Sequence, residues 1–174
     1  MSVQSIGQNS RQSAVFRGAK KSVTPLYTPD QKARRDATRW KLVQGVLAPL
    51  QFLVFLVSFG LVLRYLGTGT GYEAATASII LKTGILLLIM VTGAIWEKVV
   101  FDQYLFAPAF FWEDVFSFAV IALHLLYVFA LISGAFAPLT LMWIALSAYA
   151  TYVVNAAQFV WKLRLARLSA EVAA

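Results

Sequence analysis

Glu97, Glu113, Asp114 and His124 are the residues of this chain best suited to moving protons. Each stands in or beside a long apolar stretch, where an ionisable side chain is costly and therefore informative. Glu97 lies in Trp96-Glu97-Lys98 at the end of one stretch, and Glu113 and Asp114 lie in Phe110-Phe111-Trp112-Glu113-Asp114-Val115 at the start of the next. The two ends flank one connection, so the carboxyl groups can face each other at one depth and act as general acid and base. Amides accompany them. Gln44 and Gln51 are seven residues apart and share a helix face; Asn155 and Gln158 are three apart and share another. His124 falls ~15 Å along the helix from Asp114. An imidazole at that depth can carry a proton, ligate a metal ion or hydrogen-bond a neighbouring helix.

Plainer readings stand beside these. A carboxylate in the first turn of a helix complements the helix dipole, which accounts for at least one of Glu113 and Asp114. Glu97 can pair with Lys98 or lie solvated at an interface. Asn155 and Gln158 can simply join helices. Lys82, ~21 Å from Trp96 along its helix, is expected to snorkel outward. Four polar helix ends at one level form either a polar pocket under an apolar cap or four unrelated solvated ends.

Composition narrows the chemistry. The chain has no cysteine and one histidine, His124. That excludes disulfides, thiol nucleophiles, iron–sulfur clusters, a haem held by two histidines of one chain and multi-histidine zinc sites. There is no GxGxxG fingerprint and no P-loop.

The elements that must position these groups are membrane helices. Of the 174 residues, 60% are hydrophobic and 13% charged, against about 45–50% and about 25% in soluble domains. Four apolar stretches, Leu42–Leu63, Ala74–Trp96, Val115–Ile132 and Pro138–Trp161, are each long enough to cross a hydrocarbon core of ~30 Å. The sequence therefore predicts an all-α integral membrane protein, a four-helix bundle with helices over about 42–66, 74–98, 113–132 and 138–165. Gly67-Thr-Gly-Thr-Gly71 and Ser133–Pro138 are the short turns, and the 97–113 connection is the longest. A membrane domain over 25–168 is expected, with a flexible tail from 169 to 174.

Nine of the fifteen Lys and Arg residues lie within positions 1–41, and Lys162, Arg164 and Arg167 lie near the other end. Basic flanks around an apolar body suit an anionic membrane face better than nucleic acid. The same distribution puts both termini and the 97–113 connection in the cytoplasm. Residues 1–24 are basic, polar and free of acids, which fits a disordered extension better than a transit peptide. Thr28 before Pro29 is a helix-start signal, a capping hydroxyl followed by proline at the first helical position. It predicts a short amphipathic helix at the membrane surface over 25–41, with Trp40 at the interface.

Five segments together resemble the 3-vinyl bacteriochlorophyllide hydratases. They are Tyr27-Thr-Pro-Asp-Gln-Lys-Ala-Arg-Arg-Asp-Ala-Thr38, Leu42-Val-Gln-Gly-Val-Leu-Ala-Pro-Leu-Gln-Phe-Leu-Val54, Val91-Thr-Gly-Ala-Ile-Trp-Glu-Lys-Val-Val100, Tyr104-Leu-Phe-Ala-Pro-Ala-Phe-Phe-Trp-Glu-Asp-Val-Phe116 and Tyr149-Ala-Thr-Tyr-Val-Val-Asn-Ala-Ala-Gln-Phe159. The resemblance covers roughly residues 26–168. It implies addition of water across the C3 vinyl group of a chlorin or bacteriochlorin, giving a 1-hydroxyethyl group in bacteriochlorophyll biosynthesis. It also implies a photosynthetic bacterial inner membrane, a magnesium tetrapyrrole substrate that carries its own metal, and no cofactor held by the protein. Nucleic acid is not among the implied partners, and a homo-oligomer or other enzymes of the pigment pathway are left open.

Vinyl hydration needs a proton on the terminal carbon and water at the carbon beside the ring, so it needs a general acid and a group that deprotonates the water. Glu97 and Glu113, with Asp114 as the alternate, are the expected pair, one carboxyl kept protonated by burial. Gln44, Asn155 and Gln158 are expected to place the water. His124 is a candidate ligand of the substrate magnesium or a second proton carrier. The ring is expected to lie among Trp96, Phe101, Phe106, Phe110, Phe111 and Trp112, with its propionate toward Lys98 or Lys162. The rival from another class is a non-enzymatic pigment-binding or assembly protein, which a deep histidine and many aromatics also fit. A small transporter subunit is weaker, since no internal repeat is visible.

Overall fold

The first helix forms where the capping signal places it. In the computed structural model, which describes residues 26–173, α1 runs Pro29–Ala37. Thr28 Oγ1 accepts from the Gln31 N–H, and Gln31 Oε1 accepts from the Thr28 N–H, closing a reciprocal capping box. The chain turns extended at Thr38, and α2 (Trp40–Thr68) begins two residues later. Trp40 therefore opens the first long helix instead of closing the surface helix expected over 25–41. The expectation of a disordered 1–24 segment lies outside the described residues.

Three further helices follow: α3 (Tyr72–Phe101), α4 (Phe111–Ser133) and α5 (Pro138–Ala173). No strand occurs among the described residues. Four helices are long and apolar enough to cross a membrane: Trp40–Thr68, Tyr72–Phe101, Phe111–Ser133 and the Pro138–Leu165 part of α5. The turns are shorter than the sequence suggests, because each helix continues past its last strongly apolar residue. Gly69 and Gly71 take φ of 71° and 88° to make the first reversal, and Gly134 takes 64° to make the last, conformations that suit glycine. The middle connection shrinks to residues 102–110. α5 runs to Ala173, past residue 168, because Ser169-Ala-Glu-Val-Ala173 contains helix formers.

α2 packs most closely along α3, and α4 along α5; the two hairpins meet through α3 with α4 and α2 with α5. Lipid as solvent explains the sidedness. Large apolar side chains such as Leu53, Leu88, Phe129 and Ile132 point outward, while Ser58, Lys82, Glu97, Glu113, Asp114, His124 and Asn155 are buried inside. Donor counting fixes the direction of one buried chain. Ser78 donates to the Ala75 carbonyl at 2.7 Å, so it must accept from Ser58 at 2.7 Å, and Ser58 must accept from the Tyr149 hydroxyl at 2.5 Å. This ties α5 to α2 to α3.

Lys82 corrects an expectation. It does not snorkel but is completely buried. Its Nζ lies 3.2 Å from His124 Nε2 and 3.9 Å from the centre of the Tyr152 ring. The reason is rotational: Lys82 shares a face with Ala75, Ile79 and Leu86, all buried on α3, so its stem points into the bundle.

Candidate active site

The 102–110 connection is short and makes two reversals, with Asp102 at φ 63° and Phe106 at φ 59°. A bulky residue rarely adopts this conformation unless its surroundings hold it there. Two buried carboxyl groups do so. The Phe106 N–H donates to Asp114 Oδ2 at 2.7 Å, and the next N–H, of Ala107, donates to Glu97 Oε2 at 3.3 Å. Successive backbone donors thus set the end of α3 and the start of α4 side by side and draw the Glu97 and Asp114 carboxyls to one loop. Two buried carboxyl groups brought together in this way disfavour ionising both.

The expected pair was Glu97 with Glu113, and Asp114 was its alternate; the structure puts Asp114 against Glu97. Glu113, equally buried, accepts from Lys162 Nζ at 2.6 Å. One residue along a helix is a turn of about 100°, so neighbouring acids on α4 face different helices, Asp114 toward α3 and Glu113 toward α5. Lys162→Met would leave the Glu113 carboxylate buried without its cation. It is expected to cost about 2 kcal/mol, less than a fully buried pair because Lys162 is part-exposed. Thermal unfolding in detergent measures it, and Lys162→Met/Glu113→Gln together should recover most of the loss. An unchanged midpoint in the single variant would contradict this.

α4 and α5 run antiparallel, so Glu113 meets Lys162 and, one turn further along α4, Ser117 meets Asn155, whose Nδ2 donates to Ser117 Oγ at 2.9 Å. Gln158 falls between these pairs on the same face of α5. Three buried polar atoms at this end of the bundle have no protein partner: Asn155 Oδ1, Gln158 Oε1 and Trp96 Nε1. Two acceptors and one donor at the carboxyl end of the bundle are of the types a water molecule or an alcohol can satisfy.

Other expected residues fall elsewhere. Gln44 Nε2 donates to Thr92 Oγ1 at 2.8 Å, which joins α2 to α3 and takes the amide out of the carboxyl cluster. Lys98 is held by the Asp102 carboxylate at 2.7 Å, and this contact keeps the Asp102 carboxyl below the usual carboxylate range. Neither Lys98 nor Lys162 is thus a free cation for a propionate. His124 is engaged at both ring nitrogens: Nδ1 donates to the Val120 carbonyl at 2.8 Å, and Nε2 receives Lys82. That arrangement withholds the lone pair a magnesium ion would need. No three histidine, cysteine or carboxylate side chains are grouped to hold a metal among the described residues.

The aromatics divide into two sets. Trp96, Phe101 and Phe110 pack edge to face at 5.7–5.9 Å. Tyr27 stacks on Phe101 at 5.8 Å, under the Arg35 guanidinium. Burial pushes the Tyr27 hydroxyl above its usual range, with Arg35 pulling it back. Lys162 Nζ lies 4.9 Å from the Phe110 ring. This set seals the end of the bundle. Phe106, Phe111, Trp112 and Phe118 form the second set, exposed on the outer side of α4, with Phe106 stacked on Phe118 at 5.5 Å. Phe106 thus connects an outward aromatic face to the carboxyl pair through its own backbone.

Ser117, the Phe106 and Ala107 backbone donors, and Lys162 as the partner of Glu113 were not singled out in the sequence for these roles. The spacing of Glu113 and Ser117, four apart, was the available signal for Ser117.

Residues 27–165 match the family model described as 2-vinyl bacteriochlorophyllide hydratase (BCHF). A protein of that name from Cereibacter sphaeroides is 72% identical over 148 residues, 85% of this chain and 92% of the relative. Another from Rhodobacter capsulatus is 69% identical over 145 residues, 83% of this chain and 84% of the relative. No solved structure matches. The 2-vinyl and 3-vinyl names differ in wording only.

Proposed function

The chain belongs to the 2-vinyl bacteriochlorophyllide hydratase family and is a hydratase of bacteriochlorophyll biosynthesis; from this premise we propose that Glu97 and Asp114 are its acid and base. Their convergence on the successive Phe106 and Ala107 N–H groups carries the reading, because two buried carboxyl groups on adjacent donors suit a pair with one proton between them. Asp114 takes the shorter backbone bond, which favours its carboxylate form, so Glu97 carries the proton.

Glu97 gives its proton to the terminal vinyl carbon. The positive charge this creates on the neighbouring carbon spreads into the macrocycle. Water, giving one hydrogen bond to an amide oxygen of Asn155 or Gln158 and the other to Asp114, forms its C–O bond to that carbon and loses the second proton to Asp114. Passing this proton back to Glu97 restores the starting state. The sum is vinyl plus water giving 1-hydroxyethyl, with no change of oxidation state. The protein needs no cofactor of its own, and the substrate brings its magnesium.

The outward aromatic face of Phe106, Phe111, Trp112 and Phe118 is where a flat ring would meet the protein. The carboxyl end, with α1 and most of the basic residues, would face the cytoplasm of a photosynthetic bacterium, both termini included.

Membranes containing the protein, supplied with a 3-vinyl bacteriochlorophyllide, should shift the pigment's absorption to shorter wavelength as the vinyl group leaves conjugation. The product should gain the mass of one water. Pigment that binds without changing would contradict hydration and favour a carrier.

A further inference from the structure

We infer that Phe106 is a positioning residue of the hydration reaction: its left-handed backbone, clamped through its own ring on α4, aims its N–H at the Asp114 carboxyl. This rests on the hydratase reading above, with Asp114 as the base. Phe111, Asp114 and Phe118 stand at i, i+3 and i+7 on α4, so they form one stripe of that helix. Phe106 meets all three. Its ring stacks on Phe118, with centroids 5.5 Å apart and 14° between the planes, and lies 5.7 Å from the Phe111 ring. Its N–H donates to Asp114 Oδ2 at 2.7 Å. Asp114 is buried, whereas the three phenylalanine rings are open to the outside.

One dihedral links these contacts. Rotation about the N–Cα bond is φ, so φ sets the angle between a residue's N–H and its Cβ. At Phe106 φ is 59°. With the ring held against Phe111 and Phe118, a return to the ordinary negative range would swing the N–H off Asp114. A residue with a Cβ enters the left-handed region against a preference of roughly tenfold, so this backbone does not stay there unaided. The ring stack and the Asp114 bond hold it from two sides. The base in turn keeps its place for the water proton because this N–H grips one of its oxygens.

The test compares Phe106→Gly, Phe106→Asn and Phe106→Ala, each as the full chain in membranes with a 3-vinyl bacteriochlorophyllide. All three lose the ring, so KM is expected to rise about fivefold in each. The backbone separates them in kcat. Glycine enters the left-handed region freely and asparagine tolerates it, so both should keep kcat within about threefold of the wild type. Alanine has neither that freedom nor a ring to clamp it, and kcat should fall about tenfold. Loss of a merely structural stack would lower all three alike. Thermal unfolding in detergent shows whether each variant is folded at the assay temperature. Equal kcat in the three variants, high or low, would overturn the inference, and so would asparagine following alanine. Should Phe106→Ala not fold, the other two still decide: kept kcat supports the inference, and a tenfold loss in folded Phe106→Gly overturns it. Failure of wild-type membranes to hydrate the pigment would overturn the hydratase reading, and this inference with it, before any variant is compared.

Discussion

Glu97→Gln and Asp114→Asn each lower kcat for vinyl hydration by about 10²–10⁴-fold, the range a general acid or base supplies. Both replacements keep size and one acceptor oxygen, so the Phe106 and Ala107 N–H groups retain partners and the loop stays in place. Both remove the ability to pass a proton. The two losses do not add, because each variant already breaks the same relay; the double variant should be within about tenfold of the worse single one. Glu113→Gln behaves differently. Its carboxylate serves Lys162, so its main effect is on thermal unfolding, with turnover reduced far less. Assays in membranes, with binding measured by pigment co-purification, separate chemistry from affinity. Near wild-type turnover in Glu97→Gln and Asp114→Asn would remove the carboxyl pair from the mechanism.

His124→Leu destabilises the protein by about 3 kcal/mol or more, whereas Lys82→Met leaves stability within about 1 kcal/mol of the wild type. The asymmetry follows from which group is left behind. Removing His124 strips a buried amine of its only hydrogen-bond acceptor among the described residues, leaving aromatic faces to offset burial. An uncompensated buried ionisable group is costly. Removing Lys82 leaves an imidazole still anchored through Nδ1 to Val120, with one unsatisfied lone pair set against relief from burying an amine. The double variant Lys82→Met/His124→Leu should recover most of the loss. Unfolding midpoints in detergent for the three proteins test this. Equal destabilisation by the two single variants would show that the pair acts only as filler. Neither residue contacts the carboxyl pair, so pigment hydration by folded Lys82→Met should continue.

The helices were legible because their signal is strong and local. Twenty or so apolar residues without charge admit few structures in lipid, and Thr28-Pro29-Asp30-Gln31 spells its capping box in four residues. The site was legible in part. That Glu97 and the Glu113-Asp114 pair meet follows from their flanking one connection. Which of the adjacent acids faces α3 does not, because it depends on a rotation of about 100° set by how α4 packs. Lys82 was misread for the same reason: depth comes from counting residues, but direction comes from the neighbouring helix. Gln44 looked like part of the site because it shares depth with it, yet its partner Thr92 lies on another helix and carries no positional signal in sequence. The aromatics near the 102–110 connection looked like one wall. Two positive φ values, at Asp102 and Phe106, turn the chain so that the wall becomes an inner plug and an outer face.

The pairing of Lys82 with His124 joins residues from different hairpins, and those hairpins are made at different times. α3 leaves the ribosome before α4 and α5, so Lys82 enters the bilayer before the imidazole and the tyrosine rings that surround it in the finished bundle. A lysine at the centre of a helix opposes insertion by roughly 2.5–3.5 kcal/mol, and the apolar residues of α3 must outweigh that unaided. Until the second hairpin arrives, the first is an incomplete product carrying an exposed amine in oil. Docking of the second hairpin relieves it, which makes biosynthetic completion and burial of Lys82 the same event.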